Sequence, residues 1–415
     1  MSKKKPQELM KEFSASNTAA PDDDALAGLI EDSEGTVLDD VIETRQRSFK
    51  PWHRPRKHYL RIHQWCAEIR KLIPKLKLTG RALSYLSLPG DDMLDIRAIH
   101  GVCVKEDIPL RYLGFNNASP SHRDEANISH NELRSQGWRM IDQRSSEVVY
   151  DLFEATAVLT SMAYKELSER APYDVVNIDL CNCIAAPIKK REVNTFDALK
   201  TLLDLQEAHR SEPWLLMLTT RTARGEGVDV RQWTKLCSVF DSNLKGAQFH
   251  QLCRESLGFT DEISLSDAAA KLGQELFSRS FVVALGKWLL NILNPSWEIE
   301  LRPPAAYSVD GVSGLDMVSL VFKFSPRKNP LEDRSGLTTV KTRIALSRPT
   351  ADEEQQACQL ISVASKIVDV DALLQSDGDL LTKVLRQSES LMTQARYEAS
   401  LFREWVDRGC PLTGP

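Results

Sequence analysis

Arg81-Ala-Leu-Ser-Tyr-Leu-Ser-Leu-Pro-Gly-Asp-Asp-Met-Leu-Asp-Ile-Arg-Ala-Ile99 is the stretch that decides how this chain folds. Leu83 to Leu88 is an apolar run of strand length, Pro89-Gly90-Asp91-Asp92 supplies turn residues, and Met93, Leu94, Ile96 and Ile99 resume at helical spacing. The pattern predicts a strand, a tight turn and a helix N-terminus. In an open α/β sheet the first such turn is where a nucleotide-like ligand sits, because glycine lets the backbone approach it and the helix start offers unbonded N–H groups. Leu88, Pro89, Gly90, Asp91 and Asp92 are therefore candidate ligand contacts. A plainer reading stands beside this one: Gly90 merely permits a positive φ, and Asp91 or Asp92 caps the helix.

The alternation continues downstream. Leu110 to Phe115 makes a second strand, closed by Asn116 and Asn117. An acid near this point would hold ribose hydroxyls through two oxygens, whereas asparagine accepts through one and carries no charge. Residues 118 to 144 read as polar loop holding His122 and His130, with a short strand at Trp138 to Ile141. Residues 145 to 170 read as one long helix striped by Val148, Leu152, Ala155, Leu159 and Met162. Val175, Val176, Ile178 and Leu180 read as a strand buried on both faces, the mark of a parallel sheet. Asp179 stands at its C-terminal end and Asn182 just beyond, where such sheets place ligands and catalysis. Phe196 to His209 is an amphipathic helix and Trp214 to Thr220 a further buried strand. It ends in Arg221 and Arg224, read as solvated loop arginines or as an anion clamp. Helices fill 228 to 293, and Trp297 to Leu301 with Met317 to Phe324 alternate as an antiparallel pair closing a sheet edge. From Asp352 to Trp405 the pattern is helical again.

With 42% hydrophobic and 27% charged residues, the 415-residue chain can bury a sizeable core. The expected organisation is a disordered acidic arm (1–44), an α/β domain (45–330) and a C-terminal helical appendage (331–415). The net charge of −5 argues against nonspecific nucleic-acid binding by the whole chain, but it averages two opposed segments. The arm carries Asp22-Asp23-Asp24 and further acids; from Arg45 to Arg81 the sign reverses, with Trp52, Tyr59 and Trp65 interleaved. One reading packs Tyr59, Ile62, Cys66, Ile69 and Ile73 on the sheet and leaves the basic residues solvated. The other makes the 50–81 segment a nucleic-acid surface, with Arg54, Arg56, Lys57 and Arg61 on phosphates. No window reads as the eighteen or more apolar residues of a membrane span, and the start of the chain lacks a secretion signal, so a cytoplasmic protein is expected. The eight cysteines form no CxxC pair, and Cys181 and Cys183 read as core. No metal motif, Walker loop or nucleophile elbow is visible.

This order of elements resembles the class I S-adenosylmethionine-dependent methyltransferase fold. More narrowly, Trp52-His-Arg-Pro-Arg-Lys-His-Tyr-Leu60, a helix, and then Tyr85-Leu-Ser-Leu-Pro-Gly90 are similar to the start of the bacterial three-Cys-motif partner proteins. The resemblance covers about residues 50 to 325. It implies a doubly wound Rossmann-like sheet with an antiparallel β-hairpin at one edge and S-adenosylmethionine as cofactor. The cofactor contacts would be Leu88, Pro89, Gly90, Asp91, Asp92, Asn116 and Asn117, with Asp179 and Asn182 bordering the methyl acceptor and nucleic acid as a candidate acceptor. Ser87-Leu88-Pro89-Gly90 replaces the family's acidic, glycine-rich first loop, and Asn117 stands for the ribose acid. Two other readings follow from the same resemblance: an inert methyltransferase-like binding module, and a scaffold using the C-terminal helices as its partner surface.

Overall fold

Leu83, Tyr85 and Leu86 are all fully buried, so the strand they share is covered on both faces. In the computed structural model this strand is central to one sheet. The structure describes residues 48–411 apart from 118–119, 136, 188–192, 224–226, 261–263, 295, 310–313 and 328–349. The acidic arm and Arg224 lie outside the described residues. The strands are β1 (Leu83–Ser87), β2 (Leu110–Phe115), β3 (Glu147–Val149), β4 (Val175–Asp179), β5 (Trp214–Arg221), β6 (Trp297–Leu301), β7 (Ala305–Tyr307), β8 (Met317–Pro326) and β9 (Val368–Asp369). Their order is β3-β2-β1-β4-β5-β8-β7-β9, with β6 also paired to β8. β1 to β5 run parallel and β8 is antiparallel to β5. β6 and β7 lie along one edge of β8, separated by Arg302-Pro303-Pro304, where proline has no N–H for the ladder. This is a doubly wound Rossmann-like α/β fold whose winding reverses between β1 and β4.

Helices cover both faces. α1 (residues 55–72) runs as α-helix over Pro55–Tyr59, π-helix over Leu60–Cys66 and α-helix over Ala67–Leu72. With α2 (Leu94–Lys105) it packs on the face presenting Leu83, Tyr85, Val175 and Met217. Tyr59, Ile62, Cys66, Ile69 and Ile73 are all buried, as the spacing predicts. On the opposite face Leu86, Val176, Ile178 and Leu216 meet a larger cluster with Leu199, Leu202, Phe240 and Phe281. This layer holds α4 (Met162–Arg170), α5 (Thr195–His209), α6 (Val230–Asp241), α7 (Ala247–Leu257), α8 (Leu265–Lys271) and α9 (Gln274–Leu293); α3 (Pro120–Leu133) follows β2.

Several expectations are corrected. Residues 145–170 are not one helix: Glu147–Val149 pairs with β2, a 3₁₀ turn spans Phe153–Ala157, and only Met162–Arg170 is α-helical. The stripe misled because Leu159 and Met162 are exposed, at 68% and 64%, and β3 gains its ladder from β2 rather than from local periodicity. The polar 120–133 stretch is helical, anchored by buried Ala126, His130 and Leu133. α9 does meet the length and hydropathy of a membrane span, but 72% of that window is buried within the protein. The C-terminal segment is no appendage. Its strand β9 joins β7, and α10 (Thr350–Ala364), α11 (Val370–Ser376), α12 (Gly378–Gln394) and α13 (Ala399–Asp407) pack onto the domain. Phe402, Trp405, Met392 and Tyr397 bury against Leu94, Phe49 and Trp52.

Candidate functional site

Because Ser87 lies in register with Asn177, and Leu88 N–H donates to the Asn177 carbonyl at 3.2 Å, the C-terminal ends of β1 and β4 stand side by side. A cavity of about 960 Å³ opens there. Gly90 and Asp179, far apart in sequence, line it together, as do Leu88, Pro89, Asp91, Asp92, Asn116, Asn117 and Asn182. Arg54, Arg56, Lys57 and Arg61 line the same cavity.

Each member has a definite partner or lacks one. Lys57 Nζ donates to both Asp179 oxygens, at 2.7 and 2.9 Å. Burial alone would lower the lysine, but the adjacent Asp179 carboxylate outweighs it and holds the Lys57 pKa above its ordinary value. Arg56 pairs with Asp371 at 2.9 Å and lies 4.9 Å from the Tyr307 ring centre. Arg61 Nη1 donates to the Trp52 carbonyl at 2.9 Å. Asp92 is buried and its two oxygens accept from Tyr397 at 3.2 Å and face His53 Nε2 at 2.9 Å. Asp95 accepts from Tyr85 OH at 2.8 Å and from Ser87 Oγ. The Asn116 amide donates to the Pro89 carbonyl at 3.0 Å, tying the end of β2 to the turn. Asn117 and Asn182 are exposed.

Two residues of the basic segment depart from both of its sequence readings, while Arg54 and Arg56 stay half-buried and Lys71, Lys75 and Lys77 exposed. Lys57 and Arg61 are buried, at 7% and 4% exposure, so they form neither a solvated face nor an exposed phosphate track. They turn inward because Asp179 and the Trp52 carbonyl receive them there. Gly90 does not have a positive φ; Met93 does, at 51°, and precedes α2 without any side-chain cap. Neither Asp91 nor Asp92 caps that helix, and Asp92 faces His53 and Tyr397 rather than standing free for a ligand. Arg221 pairs with buried Asp316 at 3.0 Å instead of clamping an anion. Cys183 is buried and Cys181 exposed.

His122 and His130 sit on α3. His130 is buried with Nδ1 2.8 Å from Tyr112 OH, while His122 Nδ1 is 2.9 Å from Asp91 Oδ2. Asp91, His122 and Glu125 place one ligand-type atom each within 4.8 Å of one another, a spacing invisible while 120–133 is read as loop. Sequence reasoning missed Asp95 and Tyr307, which line the cavity, and His53 and Tyr397, which hold Asp92. Only Asp95 offered a signal, as an acid in the first turn of the helix after the glycine-bearing loop.

The family model described as PP_RS20740-like matches residues 46–407, and the chain belongs to that family. No curated protein matches it. Among solved structures, an O-methyltransferase family protein from Burkholderia thailandensis is similar at 11% identity with a TM-score of 0.24. The alignment covers 63% of this chain and 57% of that one, so the chain spans little more than half of that protein's length.

Proposed function

We propose that the crevice between β1, β2 and β4 binds S-adenosylmethionine and that the protein is a methyltransferase-like protein acting there. The observation that carries this is the cavity of about 960 Å³ at the point where the winding reverses, lined by the 88–92 turn together with Asp179 and Asn182. The cofactor, when bound, supplies the methyl group. Asn117, exposed at the end of β2, offers a neutral acceptor toward ribose hydroxyls; Asn116 is already engaged with Pro89. Lys57 and Asp179 neutralise each other, so neither is free to take a proton from an acceptor, and positioning is what the site contributes. An acidic acceptor, nucleic acid included, would meet Arg54 and Arg56, the half-buried basic residues of the group.

A second reading, an inert binding module, is favoured by one specific feature: both oxygens of Asp179 are committed to Lys57. The similarity to the three-Cys-motif partner proteins supports a scaffold of this kind, with the outer surface of the C-terminal helices as its docking face. Calorimetric titration with S-adenosylmethionine and S-adenosylhomocysteine, followed by label transfer to nucleic acid, separates these. Binding with transfer supports the enzyme, binding without transfer excludes nucleic acid as the acceptor, and no binding by either ligand eliminates the enzyme and leaves the inert module.

A further inference from the structure

We propose that Arg61 holds an oxyanion, a carboxylate or phosphate group, of the molecule that occupies the crevice. This rests on the crevice being a ligand site, as read above, but not on the ligand being an adenosyl compound. Arg61 is 4% exposed and lines the cavity. A guanidinium presents five N–H donors. Here Nη1 meets the Trp52 carbonyl at 2.9 Å and His58 Nδ1 at 3.5 Å, Nε is buried with no partner, and Nη2 makes no hydrogen bond among the described residues.

The carboxylates around Arg61 are taken by other donors. Asp179 is held by Lys57, Asp92 by His53 and Tyr397, and Asp95 by Tyr85 and Ser87. At longer range they offset the burial that lowers the Arg61 pKa, which is how the charge is tolerated, but none supplies its hydrogen-bond acceptor. Trp52, whose carbonyl Arg61 grips, also has a buried Nε1 without a partner; that atom is the one nearest to a side chain built on Gly90, at 3.9 Å. Two linked residues that line one cavity thus carry N–H donors with no acceptor of their own. The complementary group is acceptor-only and anionic, and the planar guanidinium suits carboxylate and phosphate alike.

The test uses the full chain, calorimetry, and three probes: inorganic phosphate, S-adenosylhomocysteine, and 5′-methylthioadenosine, which lacks the amino-acid carboxylate. Loss of one charge-assisted contact corresponds to about a ten- to hundredfold weakening. If the cofactor supplies the oxyanion, S-adenosylhomocysteine binds more tightly than 5′-methylthioadenosine, and Arg61→Gln erases that difference alone. If a separate molecule supplies it, phosphate binds alongside S-adenosylhomocysteine, and Arg61→Gln abolishes phosphate binding only. The proposal is overturned if wild type binds no phosphate and does not prefer the carboxylate-bearing ligand, or if Arg61→Gln changes neither affinity. Should Arg61→Gln not fold, Arg61→Lys keeps the charge without the fork; it is expected to weaken the same probe, and unchanged affinity overturns the proposal. Because phosphate is tested by itself, failure of the adenosyl reading remains distinguishable from failure of this one.

Discussion

Lys57 and Asp179 form a bidentate ion pair across 122 residues of sequence, joining α1 to the end of β4. Removing one partner leaves the other charged and largely out of water. Lys57→Met and Asp179→Asn are each expected to destabilise the fold by about 2–4 kcal/mol, below the upper range for a fully buried pair because Asp179 retains some solvent. Urea unfolding of the two single variants and the double variant checks this. The double variant should recover part of the loss, and strictly additive effects would show that the pair is not coupled.

Glycine matters in this crevice one strand away from where the sequence points. A Cβ on Gly114 would stand 2.8 Å from Pro89 Cγ and 3.3 Å from Val148 Cγ2, whereas one on Gly90 meets nothing closer than 3.9 Å. Gly114→Ala should therefore cost about 1–3 kcal/mol by pushing the turn off β2, while Gly90→Ala stays within about 1 kcal/mol. Equal melting temperatures for the two variants would contradict this.

Stability should fall on mild acidification. Burial lowers the pKa of His53, His58 and His130, and takes His100 down to about 4. The unfolded chain protonates these groups near 6.5, so their contribution is complete above that pH and is lost as the pH falls toward the folded values. Each histidine adds a slope of up to about 1.4 kcal/mol per pH unit. Denaturant midpoints at pH 7.5 and 5.5 measure the sum, and His100→Gln should flatten the curve. A midpoint unchanged over that range would refute the assignment.

A chain ending at Ser376 should fail to fold. It would lose Leu391, Met392, Phe402 and Trp405, all buried, and the Arg97 contact to the Gln394 carbonyl at 2.7 Å. At about 1.5–3 kcal/mol per large apolar side chain, that loss rivals the roughly 5–15 kcal/mol that holds a whole domain together. Native-like circular dichroism and melting of the shortened chain would restore the view of a dispensable appendage.

The sheet was readable because its strands advertise themselves: Leu83 to Leu88, Leu110 to Phe115, Val175 to Leu180 and Trp214 to Thr220 are apolar runs that only a two-sided cover explains. Strand ends follow from strands, which is why Gly90 and Asp179 could be placed in one crevice. β3 was unreadable because three residues whose ladder is supplied by β2 leave no local period. Helix α3 was hidden by its polar sequence. The fate of Lys57 and Arg61 was hidden for another reason: a basic residue on a helix reads as solvated unless its counter-charge is known, and Asp179 lies far along the chain. Tyr397 and His53 reach Asp92 only after the whole chain has closed.

The π-helical turn at Leu60–Cys66 makes α1 unequally tolerant of a change in length. Such a turn accommodates one residue more than an α-helix would over the same rise. Deleting a single codon between Leu60 and Cys66 would therefore let the helix close uniformly while Pro55–Tyr59 and Ala67–Leu72 kept nearly their present orientation about the axis. Inserting one codon there would instead swing Pro55–Tyr59 by about 100° relative to Ala67–Leu72, so that Ile69 and Leu72 kept their places in the core while Lys57 turned away from Asp179. The widened turn thus keeps the half of the helix that builds the core in phase with the half that builds the crevice, and only a gain in length uncouples them.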